Sequence, residues 1–258
     1  NMPARNVSDG VYAFMDMVGS VAVRQELPPR DYFHILNCCH EIAAENAARF
    51  GCRVDNIIGD CVFFQNVSVF DTKRHKISGP VERLMLMTLL LASVLNDINS
   101  LNKGNHALDP GGQVQDLVKR YGVTVRFRAG MNQGRAQVGP LGSKKRKIVT
   151  AVGEAVDLAS RLESTGKANC IHTTPGTAGL LEEAWVSEDT PMAFKLTVRQ
   201  NAKWESGGYF FDIYKDWFQI AGSPVLKNND PAYKEFSLPQ TRLIKCLPES
   251  HQQVCPGI

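Results

Sequence analysis

The sequence lacks the features of several large classes of protein. Its seven cysteines are scattered without the Cys-x-x-Cys or Cys/His spacing of a zinc site, and an odd number cannot form a complete disulfide set. No basic-then-apolar signal pattern opens the chain, and the longest apolar run, residues 84–95, is broken by polar residues and too short to span a bilayer. We therefore expect a cytoplasmic protein with reduced cysteines and no membrane partner.

Strong charge is also missing. The net charge of the 258 residues is +3, which gives no argument for nucleic acid as a partner. The best-defined basic cluster, residues 144–147 (KKRK), is a short isolated run and is typical of a solvated hairpin tip. A hydrophobic fraction of 43% suffices for one sizeable core, so we expect one domain with insertions.

A phosphate-binding loop of the Walker type is excluded as well. Residues 164–167 (STGK) carry part of that motif, but Ala168 stands where Ser or Thr is needed and no glycine lies five residues before Gly166. The segment is interpreted as the end of a helix with a glycine stop.

The most informative stretch covers residues 125–166. We predict two strands in it, VRFRAG and RAQVG, joined by a turn at residues 132–134 (NQG). The basic hairpin tip and a third strand follow, and Gly153 then opens a helix, EAVDLASRLEST, that ends at Gly166.

Two aspartates upstream occupy positions typical of a site. Asp16 lies near the end of an apolar, strand-like run, residues 11–17 (VYAFMDM), where a carboxylate is costly unless it is paired or binds a cation. Asp60 follows Gly59 between two β-rich runs in CRVDNIIGDCVFFQ, which is the signal of a tight hairpin. Taken alone, Asp60 can be an aspartate that only forms its turn, and Asp16 can be a residue of the strand end without a further role.

The remaining pattern predicts the fold. Helices are expected from Pro29 to about Phe50 and over residues 80–99 and 115–121, and a last strand pair over 194–198 and 209–214. The order β-α-β-β-α-β-β-α-β predicts an α+β, ferredoxin-like palm.

The predicted catalytic domain spans residues 1–215 and carries a loop insertion at about 101–116. Residues 216–258 are rich in proline and low in periodicity, so we expect a C-terminal extension that packs on the domain or on a dimer partner.

Together these motifs resemble the signature of class III nucleotidyl cyclases, the family of adenylate and guanylate cyclases. The resemblance implies a cyclase homology domain with two divalent cations, Mg²⁺ or Mn²⁺, held by Asp16, Asp60 and the Met17 carbonyl. By the same resemblance, the triphosphate is wrapped by the turn residues Gly19, Ser20 and Val21.

The signature helix and a late lysine complete the implied site. Arg161 corresponds to the arginine that stabilises charge on the α-phosphate, and its planar fork suits phosphate oxygens. Asp157 stands four residues earlier, where cyclases usually carry an asparagine that orients the ribose. An ionised carboxylate cannot donate, so Asp157 either accepts from a ribose hydroxyl or pairs with Arg161. Lys203 is the first candidate for the triphosphate and Lys195 the second.

The base-reading positions depart from the adenylate cyclase pattern. Asn56 occupies the place of the usual purine-reading lysine, and Thr150 is its expected companion. An asparagine amide can meet the edge of uracil or, flipped, that of cytosine, so the pair does not decide between pyrimidines. The chain resembles the Pycsar-type pyrimidine cyclases of bacterial antiphage operons in lacking that lysine. This favours conversion of UTP to cyclic UMP, and conversion of CTP to cyclic CMP is the second candidate reaction.

Two further functions are compatible with these motifs. One is an adenylate or guanylate cyclase with an atypical base pocket, and the second is an inactive cyclase-homology module that binds nucleotide or dimerises. In the family the metal aspartates come from one subunit and the base- and ribose-reading residues from its partner, so we expect a homodimer with composite sites. No sensor segment is recognised beside the domain, so we expect a partner, expression or a ligand to control it.

Overall fold

The structure is a computed structural model that describes residues 3–71, 77, 79–174, 176–177, 179–181, 218–221 and 242–246. Its main body is an eight-stranded sheet with helices on both faces, which confirms the α+β prediction. The strands are β1 Arg5–Met17, β2 Arg53–Ile58, β3 Cys61–Asn66, β4 Phe127–Gly142, β5 Lys147–Val152, β6 Cys170–Thr173, β7 Phe218–Ala221 and β8 Arg242–Cys246. The helices are α1 Ser20–Glu26, α2 Pro29–Arg49, α3 Pro80–Asn102, α4 Gln113–Tyr121 and α5 Glu154–Ser164.

The sheet is built around β1, which pairs antiparallel with β3 on one side and with β4 on the opposite side. The strand order is β2-β3-β1-β4-β6-β8-β7, and β5 pairs with β4 off this path. The β4–β6 pair is parallel, as expected for strands joined through a helix, here α5. This arrangement places the C-terminal end of β1, the β2–β3 turn and α5 at one region of the sheet.

Alternation along β1, together with a shift of register between Val7 and Gly10, divides the core between two layers. Val11, Ala13 and Met15 face a large cluster beneath α2, α3 and α4, whereas Val7 and Tyr12 face a smaller cluster beneath α5. The helix α3 is long and apolar enough to cross a membrane, with a mean hydropathy of 1.6, but 78% of that window is buried inside the domain. It is interpreted as the core helix that its apolar surface predicts.

The predicted turn at residues 132–134 is wrong, because β4 runs unbroken through it. Asn132 pairs with Tyr12 and Gly134 with Gly10 in the continuous register with β1. Gly134 serves helix packing instead of a turn, since a Cβ there would lie 2.9 Å from the Cβ of Ala155 on α5. The Asn132 side chain likewise donates to the Ala155 carbonyl at 3.3 Å.

Several boundaries differ by a few residues. The predicted insertion at 101–116 is a shorter loop over 103–112, because Leu101 and Asn102 complete α3 and Gln113 begins α4. That helix start is fixed by the buried Asp109, whose carboxylate accepts from the backbone amides of Gln113 and Val114 at 2.9 and 2.8 Å.

The described part of the predicted C-terminal extension consists of two strands. Within residues 216–258, β7 and β8 form an antiparallel pair, and β8 extends the sheet beside β6. The strand pair predicted at 194–198 and 209–214 lies outside the described residues. The basic run 144–147 lies exposed between β4 and β5, as predicted for a hairpin tip.

Candidate active site

Asp16 and Asp60 come together from different parts of the sheet. Asp16 is the second-last residue of β1, and Asp60 lies in the tight turn between β2 and β3, next to Gly59. The φ of Gly59 is 64°, a left-handed conformation that favours glycine and allows the two-residue turn. The two carboxyl groups are close enough for a side-chain hydrogen bond.

The electrostatics of this pair are unfavourable in the absence of a cation. Burial, followed by the negative charges of Asp60 and Glu163, raises the pKa of Asp16 to about 7. The Oδ2 atom of Asp60 is buried and finds no hydrogen-bond partner among the described residues. A buried carboxylate oxygen without a donor, facing a second carboxylate, is suited to a bound cation.

Two residues of α2 lie near the turn that carries Asp60. The ring of His40 lies near Gly59, and burial lowers the pKa of this imidazole. Burial and then the charge of Asp60 raise the pKa of the nearby Tyr32 hydroxyl. Both pKa shifts favour the neutral form of the side chain beside the carboxylates. No sequence motif pointed to either residue.

An ion pair closes the acidic cluster on the side of α5. The Nε atom of Arg128 donates to Oε1 of Glu163 at 2.7 Å, and Arg128 is also the cross-strand partner of Asp16. The close approach requires Gly130, because a Cβ at that position would lie 2.0 Å from the backbone nitrogen of Glu163. Both ends of the ion pair lie within the signature stretch, but nothing in the sequence indicated that they meet.

Asp157 and Arg161 lie about one turn apart on α5. Both are exposed on α5, whereas Glu163 on the same helix is buried toward β4. Neither contributes to the shift of the Asp16 pKa, to which Glu163 and Arg128 do contribute. Asp157 and Arg161 are thus on the exposed side of α5, opposite to the side on which Glu163 meets Arg128.

The predicted base-reading residues each form a hydrogen bond with a different residue of β2. Thr150 is buried on β5 and its hydroxyl donates to Asp55, the residue before Asn56. Asn56 is exposed, and its Oδ1 accepts from the backbone nitrogen of Ile57 at 3.0 Å. The Asp55 contact is a feature that sequence interpretation missed.

The structure describes only some of the residues that are predicted to bind the triphosphate. Gly19, Ser20 and Val21 form the start of α1 at the surface, directly after the strand that carries Asp16. Lys203 and Lys195 lie outside the described residues.

A cavity of about 230 Å³ opens at the end of the β2–β3 hairpin opposite to Asp60, lined among others by Arg53, Gln65 and Asp71. It contains none of the predicted site residues.

Comparison with known proteins identifies the family. Residues 4–211 match the model of the adenylate and guanylate cyclase catalytic domain. The chain belongs to this family. It is thus a nucleotide cyclase domain of class III, as its motifs predicted. Among curated proteins, none matches the sequence.

Solved cyclase structures share its fold. The adenylyl cyclase CyaB from P. aeruginosa has a TM-score of 0.66 and 19% identity, over 96% of this chain and 98% of that chain. The guanylate cyclase domain of RhGC from Catenaria anguillulae, in complex with GTP, has a TM-score of 0.60 and 16% identity, over 95% and 100%. A dimeric guanylyl cyclase domain of the RhoGC fusion protein from Blastocladiella emersonii gives 0.59 and 16%, over 95% and 98%. At these identities the similarity shows the fold alone.

The residues of the cyclase domain fit the divalent cations that its family uses. The described residues contain no cluster of three or more His, Cys, Asp or Glu side chains arranged around a metal position. Two carboxylates and a carbonyl are nevertheless the protein share typical of Mg²⁺ sites, where substrate phosphates and water complete the shell. The unpartnered Oδ2 of Asp60, beside the Asp16 carboxyl group, is an oxygen of the kind that such an ion prefers.

Proposed function

We propose that this cyclase domain converts UTP to 3′,5′-cyclic UMP and pyrophosphate. The observation that carries the cyclase chemistry is the Asp16–Asp60 pair, with one buried carboxylate oxygen that lacks a donor. The ribose 3′-oxygen forms a bond to the α-phosphorus, the bond from that phosphorus to the bridging oxygen breaks, and the hydroxyl proton is released to solvent. Two cations, Mn²⁺ or Mg²⁺, held by Asp16, Asp60 and the Met17 carbonyl, would activate the 3′-hydroxyl and neutralise the leaving group.

The chain's own residues bind and orient the nucleotide in this proposal. Gly19, Ser20 and Val21 present the start of α1 to the triphosphate, together with Lys203. Arg161 donates to the α-phosphate oxygens, where charge develops in the transition state. Asp157 accepts from a ribose hydroxyl and thereby holds the sugar for in-line attack.

In this proposal a second subunit completes the site. Asp157 and Arg161 are exposed on α5, whereas the residue of that helix that acts on Asp16 is the buried Glu163. The proposed reaction requires Asp157 and Arg161 at the same nucleotide as Asp16 and Asp60. We therefore propose a head-to-tail homodimer in which Arg161 of the partner subunit completes the site built on Asp16 and Asp60. Such a dimer has two equivalent sites related by its two-fold axis.

UTP is proposed from the base-reading positions. Asn56 is exposed and neutral, and its amide can donate to uracil O4 or accept from N3–H. The same amide, flipped, can pair with cytosine, which makes CTP the second candidate substrate. The resemblance to antiphage cyclases supports UTP over CTP and extends the proposal to a second messenger made during phage infection.

The substrate is tested with each of the four nucleoside triphosphates and Mn²⁺, the products being separated by chromatography. We expect cyclic UMP as the main product and none from Asp60→Ala. Cyclic AMP or cyclic GMP as the main product would refute the pyrimidine assignment. Equal product levels from wild type and Asp60→Ala would refute the enzyme assignment and favour a nucleotide-binding or dimerisation module.

The antiphage role has its own test. Bacteria expressing wild type or Asp60→Ala are infected with phage, and cyclic UMP is measured in extracts before and after infection. We expect the nucleotide to rise on infection only with the wild-type chain. A cyclic UMP level that does not change with infection would refute the antiphage role without refuting the cyclase activity.

A further inference from the structure

The most informative feature beyond the predicted site is a β-bulge in β2. The register between β2 and β3 shifts between Val54, which pairs with Phe64, and Asn56, which pairs with the next residue, Phe63. Asp55 is the extra residue of the bulge. Bulges of this kind re-aim a side chain, and here the Asp55 carboxyl group is directed toward β5.

Both oxygens of Asp55 are occupied by fixed donors. The Thr150 hydroxyl donates to Oδ2, and the Nε2 of Gln65, a fully buried side chain on β3, donates to Oδ1. Arg53 strengthens the arrangement, because its Nη2 donates to the Val149 carbonyl on β5 at 3.3 Å. Burial raises the pKa of Asp55, whereas the bond from Thr150 and the charge of Arg53 oppose that rise.

These bonds determine what Thr150 offers to a nucleotide. A threonine hydroxyl has one proton and two lone pairs, and its proton is used in the bond to Asp55. Any further partner of the Thr150 oxygen must therefore be a donor. At Asn56, Oδ1 already accepts from Ile57, so the amide nitrogen is the group with unused donors.

We infer that Asp55 is a specificity-determining positioning residue, which holds the Thr150 hydroxyl as a hydrogen-bond acceptor toward the base. The inference rests on the proposed function, because it concerns the base of the same nucleotide. An N–H group of the base, the imino N3–H of uracil or the amino group of cytosine, faces Thr150. A hydrogen-bond acceptor in the same place, which is ring N3 of cytosine or O4 of uracil respectively, is rejected. Asp55 does not touch the base and acts through Thr150.

The test is a double-mutant cycle on base preference. Wild type, Asp55→Asn, Thr150→Val and the double variant are assayed for kcat/KM with all four nucleoside triphosphates and Mn²⁺. An asparagine can either accept from the Thr150 hydroxyl or donate to it, so the hydroxyl is no longer held as an acceptor. We therefore expect Asp55→Asn to reduce the ratio of kcat/KM between the better and the poorer of UTP and CTP roughly tenfold. Adding Asp55→Asn to Thr150→Val should leave the preference unchanged, because the hydroxyl through which Asp55 acts is gone.

Several outcomes would overturn the inference. A merely structural Asp55 would lower kcat/KM for all nucleotides by one common factor and leave their ratio unchanged. An effect of Asp55→Asn that persists in the Thr150→Val background would show that Asp55 acts by a different route. Asp116→Asn, an exposed carboxylate on α4, serves as the matched control and should alter neither rate nor ratio.

Failure of the proposed function is distinguishable from failure of this inference. Wild type that makes no cyclic nucleotide from any substrate refutes both. Wild type that is active, with an unchanged ratio in Asp55→Asn, refutes the role of Asp55 alone. Thermal unfolding of each variant shows whether a loss of rate reflects a loss of fold.

Discussion

Arg128 faces two acidic partners at once: it is the cross-strand neighbour of Asp16 on β1 and donates to Glu163 on α5 at 2.7 Å. Burial raises the pKa of Glu163, and the bond from Arg128 opposes this rise. One arginine thus favours the charged form of a buried carboxylate beside the aspartate pair and links α5 to the end of the sheet.

Removal of Arg128 should destabilise the protein, because the acidic cluster then lacks its cationic partner. In Arg128→Met, the Glu163 side chain, only 10% exposed, loses its cationic partner next to Asp16 and Asp60. We expect the free energy of unfolding in urea to fall by about 1–3 kcal/mol, less than for a fully buried pair because Arg128 is itself 26% exposed. Arg128→Met/Glu163→Gln should recover part of the loss, since the unpaired charge is gone.

Arg126→Met is the matched control for this experiment. Arg126 lies two residues earlier with an exposed side chain, so its loss should change stability by less than about 0.5 kcal/mol. Equal effects of the Arg126 and Arg128 variants would contradict the role of the ion pair.

Local sequence signals predicted the elements that depend on local chemistry. The turn at Gly59 and Asp60, the helix opened by Gly153 and the apolar helix α3 are each set by backbone preference or by periodicity within one segment. The positions of Asp16 and Asp60 followed from the same signals, combined with the family motif. These features needed no knowledge of distant contacts.

The features that were missed depend on contacts between distant segments. Gly134 suggested a turn, whereas it makes room for Ala155 twenty-one residues later on α5. The bond between Thr150 and Asp55 joins residues 95 positions apart, and that between Arg128 and Glu163 joins residues 35 apart. A sequence pattern cannot distinguish a glycine that turns the chain from one that admits a helix, unless the fold is already known.

Gly130→Ala should show how closely α5 lies on the sheet. A Cβ at this position would be 2.0 Å from the Glu163 nitrogen and 2.3 Å from the Ala159 carbonyl oxygen, both backbone atoms that cannot move aside. We expect a loss of about 3 kcal/mol in unfolding free energy, at the upper end of overpacking effects, or no soluble protein. Gly134→Ala, whose Cβ would meet only the Ala155 side chain at 2.9 Å, should lose less.

The control for that series is Gly111→Ala. No atom lies within 4 Å of a Cβ at this loop position, so the change should be within about 0.5 kcal/mol. A Gly130→Ala protein as stable as Gly111→Ala would mean that α5 sits further from β4 than described.

Asp60→Asn should stabilise the metal-free protein while removing its response to metal. The substitution takes one charge from a crowded pair and offers an amide donor to Asp16, so the free energy of unfolding in chelator should rise by about 1 kcal/mol. Millimolar Mn²⁺ should raise the melting temperature of wild type, because a cation that binds the folded state stabilises it, and should leave Asp60→Asn nearly unchanged. Asp116→Asn, as control, should melt like wild type with and without metal. Wild type that does not respond to Mn²⁺ would contradict the metal site without any assay of turnover.

Mixing inactive variants should reveal whether two chains share each site. Asp60→Ala and Arg161→Ala should each lose activity about a hundredfold or more, since each removes one half of every composite site. In an equimolar mixture half of the dimers are mixed, and each mixed dimer holds one intact site, so activity should return to roughly one quarter of wild type. Mixing Asp60→Ala with Asp16→Ala is the control, because both changes damage the same half and no intact site can form. A mixture of the first pair that stays as inactive as the control would refute the shared site and require Arg161 to reach Asp16 and Asp60 within its own chain.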